Sequence, residues 1–300
     1  MESPLPIYCG TGSRVFLGTS SNIGGMSKSQ IWRSPEEIVE IAFQRSSVVM
    51  INEAHNGMRR CIRTRQIGQR ILPVAHQSGV RHLAMEALFP TFAAQCNNTR
   101  RVAAAGQDYL SQPEMREFVQ TALDLGWTLI PYEADSLQWL SAKYGVDFQH
   151  PANPQRYSTQ FQKYQADLIS EEFTNWREEQ QARNLISALQ ALPANSQFLV
   201  WCGNSHHSKT AHEDWTPMGY CFQQFSKINP FVIDQTRTVK FDFRDNYLET
   251  EITSQFSEKL AKYGGIAGLL LEEIPSSLAK CHFERLGVDA VLLSTQNEME

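Results

Sequence analysis

Four short runs of apolar residues alternate with segments of helical periodicity, and this alternation constrains the fold more than any other feature of the chain. The runs are SVVMI at 47–51, VRHLAM at 80–85, WTLIPY at 127–132 and QFLVW at 197–201. Solidly apolar runs of this length are typical of strands buried on both faces. The sequence therefore predicts an α/β fold with a mostly parallel central sheet and helices on both faces.

The boundaries of the other segments follow from periodicity and from capping residues. Ser34 followed by Pro35 predicts the start of a helix that runs to about residue 45. Residues 1–30, rich in Gly, Ser and Thr, are predicted to be an irregular N-terminal arm, and residues 31–300 a single α/β domain. Further helices are predicted at 58–77, 114–125 and 158–192, a long loop at 145–156, and further strands at 231–235, 240–243 and 290–293.

Composition excludes several classes of protein. Hydrophobic residues make up 42% of the chain, which excludes wholesale disorder. A formal charge of −5 argues against a protein that coats nucleic acid. No apolar run approaches the roughly 18–20 residues that cross a bilayer, and we expect no signal peptide. Six cysteines without a CxxC pair favour a cytoplasmic protein that lacks a disulfide framework.

Each of the four apolar runs is followed by acidic, amide or histidine residues. In an open parallel sheet, ligands bind outside the carboxyl ends of the strands, so these residues are expected to share one edge. Burying so many polar groups without a purpose is costly, and their convergence therefore predicts a functional site. The residues are Glu53 and His55 after the first run, Glu86 after the second, Glu133 and Asp135 after the third, and Asn204, His206 and His207 after the fourth.

Purely structural roles remain open for several of these residues. Glu53 is also suited to cap the following helix, and Asp135 is suited to be the N-cap of the next one. Glu86 has Arg59 or Arg60 as an alternative partner, and Arg59 is also a candidate to bind an anionic part of a substrate. His55 is also compatible with a hydrogen-bonded loop histidine.

A polar stripe on the predicted helix at 158–192 extends the site. Arg177, Gln181 and Asn184 lie at positions i, i+4 and i+7, so they share one helical face. One interpretation is a solvated face. The other is that Arg177 points toward Glu53 or Glu86, or binds a substrate carboxylate or a developing oxyanion.

Four short motifs follow one another at the ends of the predicted strands and on this helix. Residues 52–55 read NEAH, 82–86 read HLAME, 177–184 read REEQQARN and 203–206 read GNSH. They resemble the G-E-x-H, strand–glutamate, R-D-x-x-M-A-x-N and G-x-x-H motifs of the superfamily that unites erythromycin esterases, ChaN-like haem-binding proteins, and the TIKI and TraB proteases. The chain departs from that pattern at Asn52, Glu178 and Gln181.

The resemblance implies an erythromycin esterase/ChaN-like fold and a hydrolase or related acyl-transfer enzyme whose substrate is a small-molecule ester or lactone, or a peptide. Histidine would act as general base and arginine as anion stabiliser. The implied catalytic residues are Glu53, His55, Glu86, Arg177 and His206. The candidate substrate-binding residues are Arg59, Glu133, Asp135, Gln181, Asn184, Asn204 and His207.

The cofactor is left open at this stage. The enzyme needs either no cofactor or a divalent metal ion, for which His55, His206 and Glu53 are the candidate ligands. Haem binding, with Tyr132 or a histidine as the axial ligand, is an alternative from another branch of the superfamily. A biosynthetic transferase or cyclase that reuses the cleft is a further alternative.

Overall fold

The structure is a computed structural model that describes residues 31–56, 59–60, 62–86, 88–102, 108–148, 164, 166–239, 256–274 and 287–295. The predicted N-terminal arm, the strand predicted at 240–243 and most of the loop predicted at 145–156 lie outside these residues. Only the backbone is described for His55, Asn56, Arg59, Arg60, Asp108 and Tyr109.

Helices and strands alternate along the described residues, as the apolar runs predict. The helices are α1 Pro35–Arg45, α2 Ile62–Gln77, α3 Pro90–Thr99, α4 Asp108–Ser111, α5 Pro113–Asp124, α6 Ser136–Tyr144, α7 Glu171–Ala191 and α8 Met218–Ser226. The strands are β1 Val48–Glu53, β2 His55–Asn56, β3 Arg59–Arg60, β4 His82–Met85, β5 Thr128–Pro131, β6 Phe198–Gly203, β7 Phe231–Asp234, β8 Ile266–Leu270 and β9 Ala290–Ser294.

Seven of these strands form one sheet in the order β5-β4-β6-β1-β7-β9-β8. The neighbours are parallel except for β8, which runs antiparallel to β9 at the edge. In the centre, Val48 pairs with Phe198 of β6 and Val49 pairs with Phe231 of β7. The predicted mostly parallel sheet is confirmed, and the carboxyl ends of five adjacent strands, β5 to β7, lie at one edge.

The side chains of β1 alternate between two hydrophobic cores, because successive residues of a strand point to opposite faces. Val49 and Ile51 belong to a core that α1, α2, α3 and α5 complete. Val48 and Met50 belong to a second core that α7 and α8 complete. Helices therefore cover both faces of the sheet, as predicted.

Two helices begin later than their sequence patterns predict. α2 begins at Ile62 rather than 58, because β2 and β3 form a short antiparallel pair in which His55 lies opposite Arg60. α7 begins at Glu171, because Ser170 is extended and its hydroxyl accepts a hydrogen bond from the Phe173 N–H. The prediction of one continuous helix across residue 170 is therefore wrong. The prediction that places Arg59 in a helix is also wrong, because Arg59 lies on β3.

The antiparallel edge strand β8 was not predicted. Its sequence, IAGLL, is not directly followed by a polar residue. The apolar segment around it was considered only as a membrane span, for which it is too short. On its outer side, the Gly268 N–H donates to the Arg33 carbonyl at 2.6 Å, and the Arg33 N–H donates back at 3.0 Å. No helix within the described ranges is long and apolar enough to span a membrane.

Candidate active site

Glu86 lies where β4 ends beside β6. Its backbone N–H continues the ladder by donating to the Trp201 carbonyl at 3.1 Å. Its side-chain Oε2 accepts a hydrogen bond of 2.5 Å from the backbone N–H of Gly203, the last residue of β6. The carboxylate is therefore held across the ends of two adjacent strands, and its side chain is only 11% exposed.

Arg177 of α7 joins this carboxylate to the carboxylate that follows β5. Its Nη2 lies 2.6 Å from both Glu86 Oε1 and Glu133 Oε2, and its Nε donates to Glu133 Oε1 at 2.8 Å. Of the sequence-based alternatives for Arg177, the structure shows contact with Glu86. Burial opposes the charge, but the two carboxylates raise the pKa of Arg177 above its usual range.

The remaining polar residues of the α7 stripe hold the end of β5. Gln181 is fully buried, and its Nε2 donates to Glu133 Oε1 at 2.9 Å. Asn184 Nδ2 donates to the Tyr132 carbonyl at 3.1 Å and to the Glu133 carbonyl at 3.3 Å. The interpretation of this stripe as a solvated face is therefore wrong, because it contacts the strand-end residues that the sequence places in the site.

His206 stands beside Glu86 in the turn that follows β6. Its Nε2 lies 3.6 Å from Glu86 Oε1, and its Nδ1 is hydrogen-bonded to Glu178 Oε1. Glu178 is fully buried and also accepts from Trp215 Nε1 at 3.0 Å and from the Met218 N–H at 2.6 Å. This arrangement fixes the orientation of the imidazole, whose side chain remains 17% exposed at the edge of the sheet.

The flanking carboxylates determine the charge of His206. Burial disfavours the imidazolium, but Glu178 and Glu86 raise the pKa of His206 to about 9. His206 and Arg177, with the Gly203 N–H, in turn hold the pKa of Glu86 well below its usual range despite burial. At neutral pH the site therefore contains an imidazolium and an ionised Glu86 side by side.

Glu53, at the end of β1, carries a buried ion pair. Its Oε2 accepts hydrogen bonds from Arg65 Nε at 3.0 Å and from Trp201 Nε1 at 3.4 Å. Both charged side chains are fully buried. Arg65 lies in the first turn of α2, so Glu53 is joined to that helix through a side chain.

Asn204 and His207, which precede and follow His206 in the same turn, have different surroundings. The Asn204 N–H donates to the Glu53 carbonyl at 2.8 Å, and the Asn204 carbonyl accepts from Asn52 Nδ2 at 2.6 Å. His207 is 1% exposed, and neither ring nitrogen has a hydrogen-bond partner among the described residues. Burial lowers the pKa of His207 to about 4. His207 is thus a neutral, enclosed neighbour of His206, and a substrate-binding role for it remains a prediction.

The structure supports the structural interpretation of one predicted site residue. Asp135 is the N-cap of α6, because its Oδ1 accepts from the Leu137 and Gln138 N–H groups at 2.9 and 3.3 Å. His55 and Arg59 lie on the β2–β3 pair that directly follows β1. The roles predicted for these two side chains remain predictions.

At the level of the sequence, Glu178 stands out only as a departure from the R-D-x-x-M-A-x-N motif, and neither Glu178 nor Arg65 was predicted to have a role in the site. Glu178 lies four and seven residues before Ala182 and Leu185, which are fully buried. Arg65 lies three and seven residues before the buried Gly68 and Leu72 of α2. The available signal was a charged residue on the apolar face of a helix. Such a residue is buried only when another group pairs with its charge, so its position indicates a buried partner.

The predicted cofactors remain predictions, because only the backbone of His55, a candidate metal ligand, is described. Within the ranges given above, no group of three His, Cys, Asp or Glu side chains is placed to hold a metal ion. Tyr132, the candidate haem ligand, is 1% exposed, and its hydroxyl donates to the Trp201 carbonyl at 3.0 Å.

Comparisons with known proteins agree with this architecture. No protein-family profile and no curated protein matches the sequence. Among solved structures, a variant of the erythromycin esterase EreC in its open conformation is 11% identical, with a TM-score of 0.55 over 90% of this chain and 98% of that one. The chain therefore has an erythromycin esterase-like fold.

Two further solved structures are more distant. A Bacillus cereus protein is 11% identical, with a TM-score of 0.48 over 86% of this chain and 90% of that one. RRSP, a MARTX toxin effector domain from Vibrio vulnificus, is 12% identical, with a TM-score of 0.40 over 67% of this chain. The match spans 35% of that toxin chain.

Proposed function

We propose that this protein is a hydrolase or related acyl-transfer enzyme for an ester, lactone or peptide, with His206 as its proton-transfer residue. One observation carries the proposal. The buried Glu178 holds Nδ1 of His206, while Nε2 faces Glu86 at the carboxyl ends of the strands. A carboxylate that orients an imidazole in this way is the arrangement that proton transfer to and from a nucleophile requires.

Arg177 supplies the anion stabiliser in this proposal. Its Nε and Nη2 hold the two glutamates, whereas Nη1 makes no hydrogen bond to the described residues. The side chain is 24% exposed. A fixed guanidinium with a free N–H, close to the imidazole, is suited to stabilise a developing oxyanion.

The experiment is a panel of p-nitrophenyl acetate, a δ-lactone and fluorescent casein, tested with the wild-type chain and with His206→Ala. We expect the variant to lose about 10²- to 10⁴-fold in kcat/KM on whichever probe is turned over. The matched control is His212→Ala, since His212 is exposed and its ring stacks on Trp215, with no hydrogen bond to Glu178 or Glu86 among the described residues. Wild-type turnover in His206→Ala contradicts the proposal.

A further inference from the structure

A polar cavity lies away from His206, at the opposite end of the sheet. Its volume is about 590 Å³, and it is lined by the end of α3, by the residues that follow it and by α5. Trp127, which contacts one of its arginines, directly precedes β5. The four residues of β5, roughly 13 Å of extended chain, separate this end from Glu133. The cavity is therefore distinct from the candidate active site.

Three arginines line this cavity, and neutral groups hold two of them. Arg100 Nη1 donates to the Trp127 carbonyl at 2.7 Å, and Arg116 Nη2 donates to the Val102 carbonyl at 3.2 Å. Each contact uses one of the five N–H groups of a guanidinium. Among the described residues, Arg101 has no side-chain hydrogen bond and none of the three arginines is paired with a carboxylate. Two of the three guanidinium groups are therefore held in place by carbonyl groups, which do not neutralise their charge.

The segment that carries the arginines is held in place by hydrogen bonds. Gln120 of α5 accepts from the Val102 N–H at 3.0 Å and donates to the Arg100 carbonyl at 3.0 Å. The Arg101 N–H donates to the Thr99 hydroxyl at 3.3 Å. These bonds fix the backbone of residues 99–102, so this part of the lining does not have to be ordered when a ligand binds.

The local charge is opposite in sign to that of the whole chain. Asp124 is the single acidic residue in the lining, and its Oδ1 already accepts from Gln120 Nε2 at 2.8 Å. Three arginines and one aspartate give the cavity a formal charge of +2, in a chain whose formal charge is −5. Unpaired guanidinium groups around one cavity repel each other until an anion lies between them.

We propose that this cavity binds the phosphate group of a small soluble phosphate monoester. Guanidinium groups match the oxygens of a phosphate through paired N–H donors, and a phosphate dianion would offset two of the three positive charges that line the cavity. The volume exceeds that of a phosphate alone, so the organic part of the ligand occupies the rest. This proposal does not depend on the proposed function.

The test is isothermal titration calorimetry of the full chain with phenyl phosphate, and with inorganic phosphate, at low ionic strength. We expect saturable binding that Arg101→Ala and Arg116→Gln each weaken about tenfold, because each loses one charge-assisted contact. Glutamine keeps a donor for the Val102 carbonyl. The matched control is Arg183→Ala, since Arg183 is exposed and paired with Glu179, and we expect it to bind like the wild type.

Three results would overturn the proposal. The first is the absence of saturable binding to either probe. The second is equal weakening in the Arg183→Ala control, which would indicate nonspecific attraction. The third is binding to phosphatidic acid vesicles, relative to phosphatidylcholine vesicles, without binding to phenyl phosphate, which would identify a membrane as the source of the phosphate. If circular dichroism shows that Arg116→Gln is unfolded, the affinity of Arg101→Ala for phenyl phosphate alone tests the proposal.

Discussion

Nδ1 of His206 is hydrogen-bonded to the buried carboxylate of Glu178. Glu178 directly follows Arg177, the arginine that binds Glu86. Because this carboxylate favours the imidazolium, we expect Glu178→Gln to lower the pKa of His206 from about 9 toward its ordinary value. Titration of the His206 ring protons by NMR measures the change. The neighbouring Glu179→Gln, an exposed position, is the control and should leave this pKa unchanged.

The raised pKa of His206 predicts how activity depends on pH. If the neutral ring is the base, only about 1% of the molecules are active at pH 7, and kcat/KM should rise about tenfold per pH unit until it levels off near pH 9. The profile of wild-type kcat/KM between pH 6 and 10 tests this. Activity that falls over the same range would identify the imidazolium as the active form and contradict the role of a general base.

The same pKa predicts a loss of stability in alkaline solution. A histidine whose pKa is raised by folding contributes its full stabilisation when the pH is below its pKa in the unfolded chain, 6.5. This contribution is lost as the pH rises through the folded-state pKa of about 9. The shift corresponds to at most about 3 kcal/mol. We expect urea unfolding to show a larger decrease in stability from pH 6.5 to 9.5 for the wild type than for His206→Asn. Equal decreases would show that the pKa of His206 is not raised.

Arg177 should not tolerate lysine. A single ammonium cannot reproduce the fork that contacts Glu86 and Glu133 while leaving an N–H free. We expect Arg177→Lys to lower kcat/KM about a hundredfold, the usual effect of removing one anion-stabilising donor. Arg183→Lys, in an exposed pair with Glu179, is the control for the substitution itself.

The buried pair of Glu53 and Arg65 should contribute more to stability than an exposed pair. Arg65→Met leaves the Glu53 carboxylate buried without this partner, and we expect a loss of about 3–5 kcal/mol in chemical denaturation. Arg70→Met breaks the exposed pair with Glu36 and should cost at most about 1 kcal/mol. Similar losses in the two variants would contradict the buried pairing.

Dialysis against a strong chelator should leave activity unchanged. A metal ion at His206 would have to displace the proton that Glu178 and Glu86 favour on the ring. Activity before and after dialysis, on the probe that the wild type turns over, measures the effect. Loss that a divalent ion restores would favour the metal-dependent alternative.

Much of the sheet was predictable because its strands are apolar on both faces. Residues 48–51 are apolar without interruption, and they form most of the central strand β1. Strand β8 was missed because pairing with β9, which is remote in sequence, makes it a strand. The predicted start of α2 was wrong because the β2–β3 pair, which precedes this helix, depends on cross-strand pairing that periodicity does not show.

The candidate site was predictable to the extent that its residues follow strands. Glu86 and His206 were found because topology alone brings the carboxyl ends of β4 and β6 together. Glu178 lies in a helix between Arg177 and Glu179, and composition does not distinguish its buried carboxylate from the exposed one. The same limit applies to Asp135. Its position in the sequence is compatible with a binding site and with a helix cap, and only the N–H groups that donate to its side chain distinguish the two.

The pairing of Arg33 with Gly268 has a consequence for the association of separate molecules. An outer strand with free N–H and carbonyl groups offers a template on which a strand of another copy can add. In β8 the central residue has both groups occupied by the backbone that leads into α1. The chain thus shields the middle of its own sheet edge, which protects this position against the strand-to-strand pairing that begins aggregation.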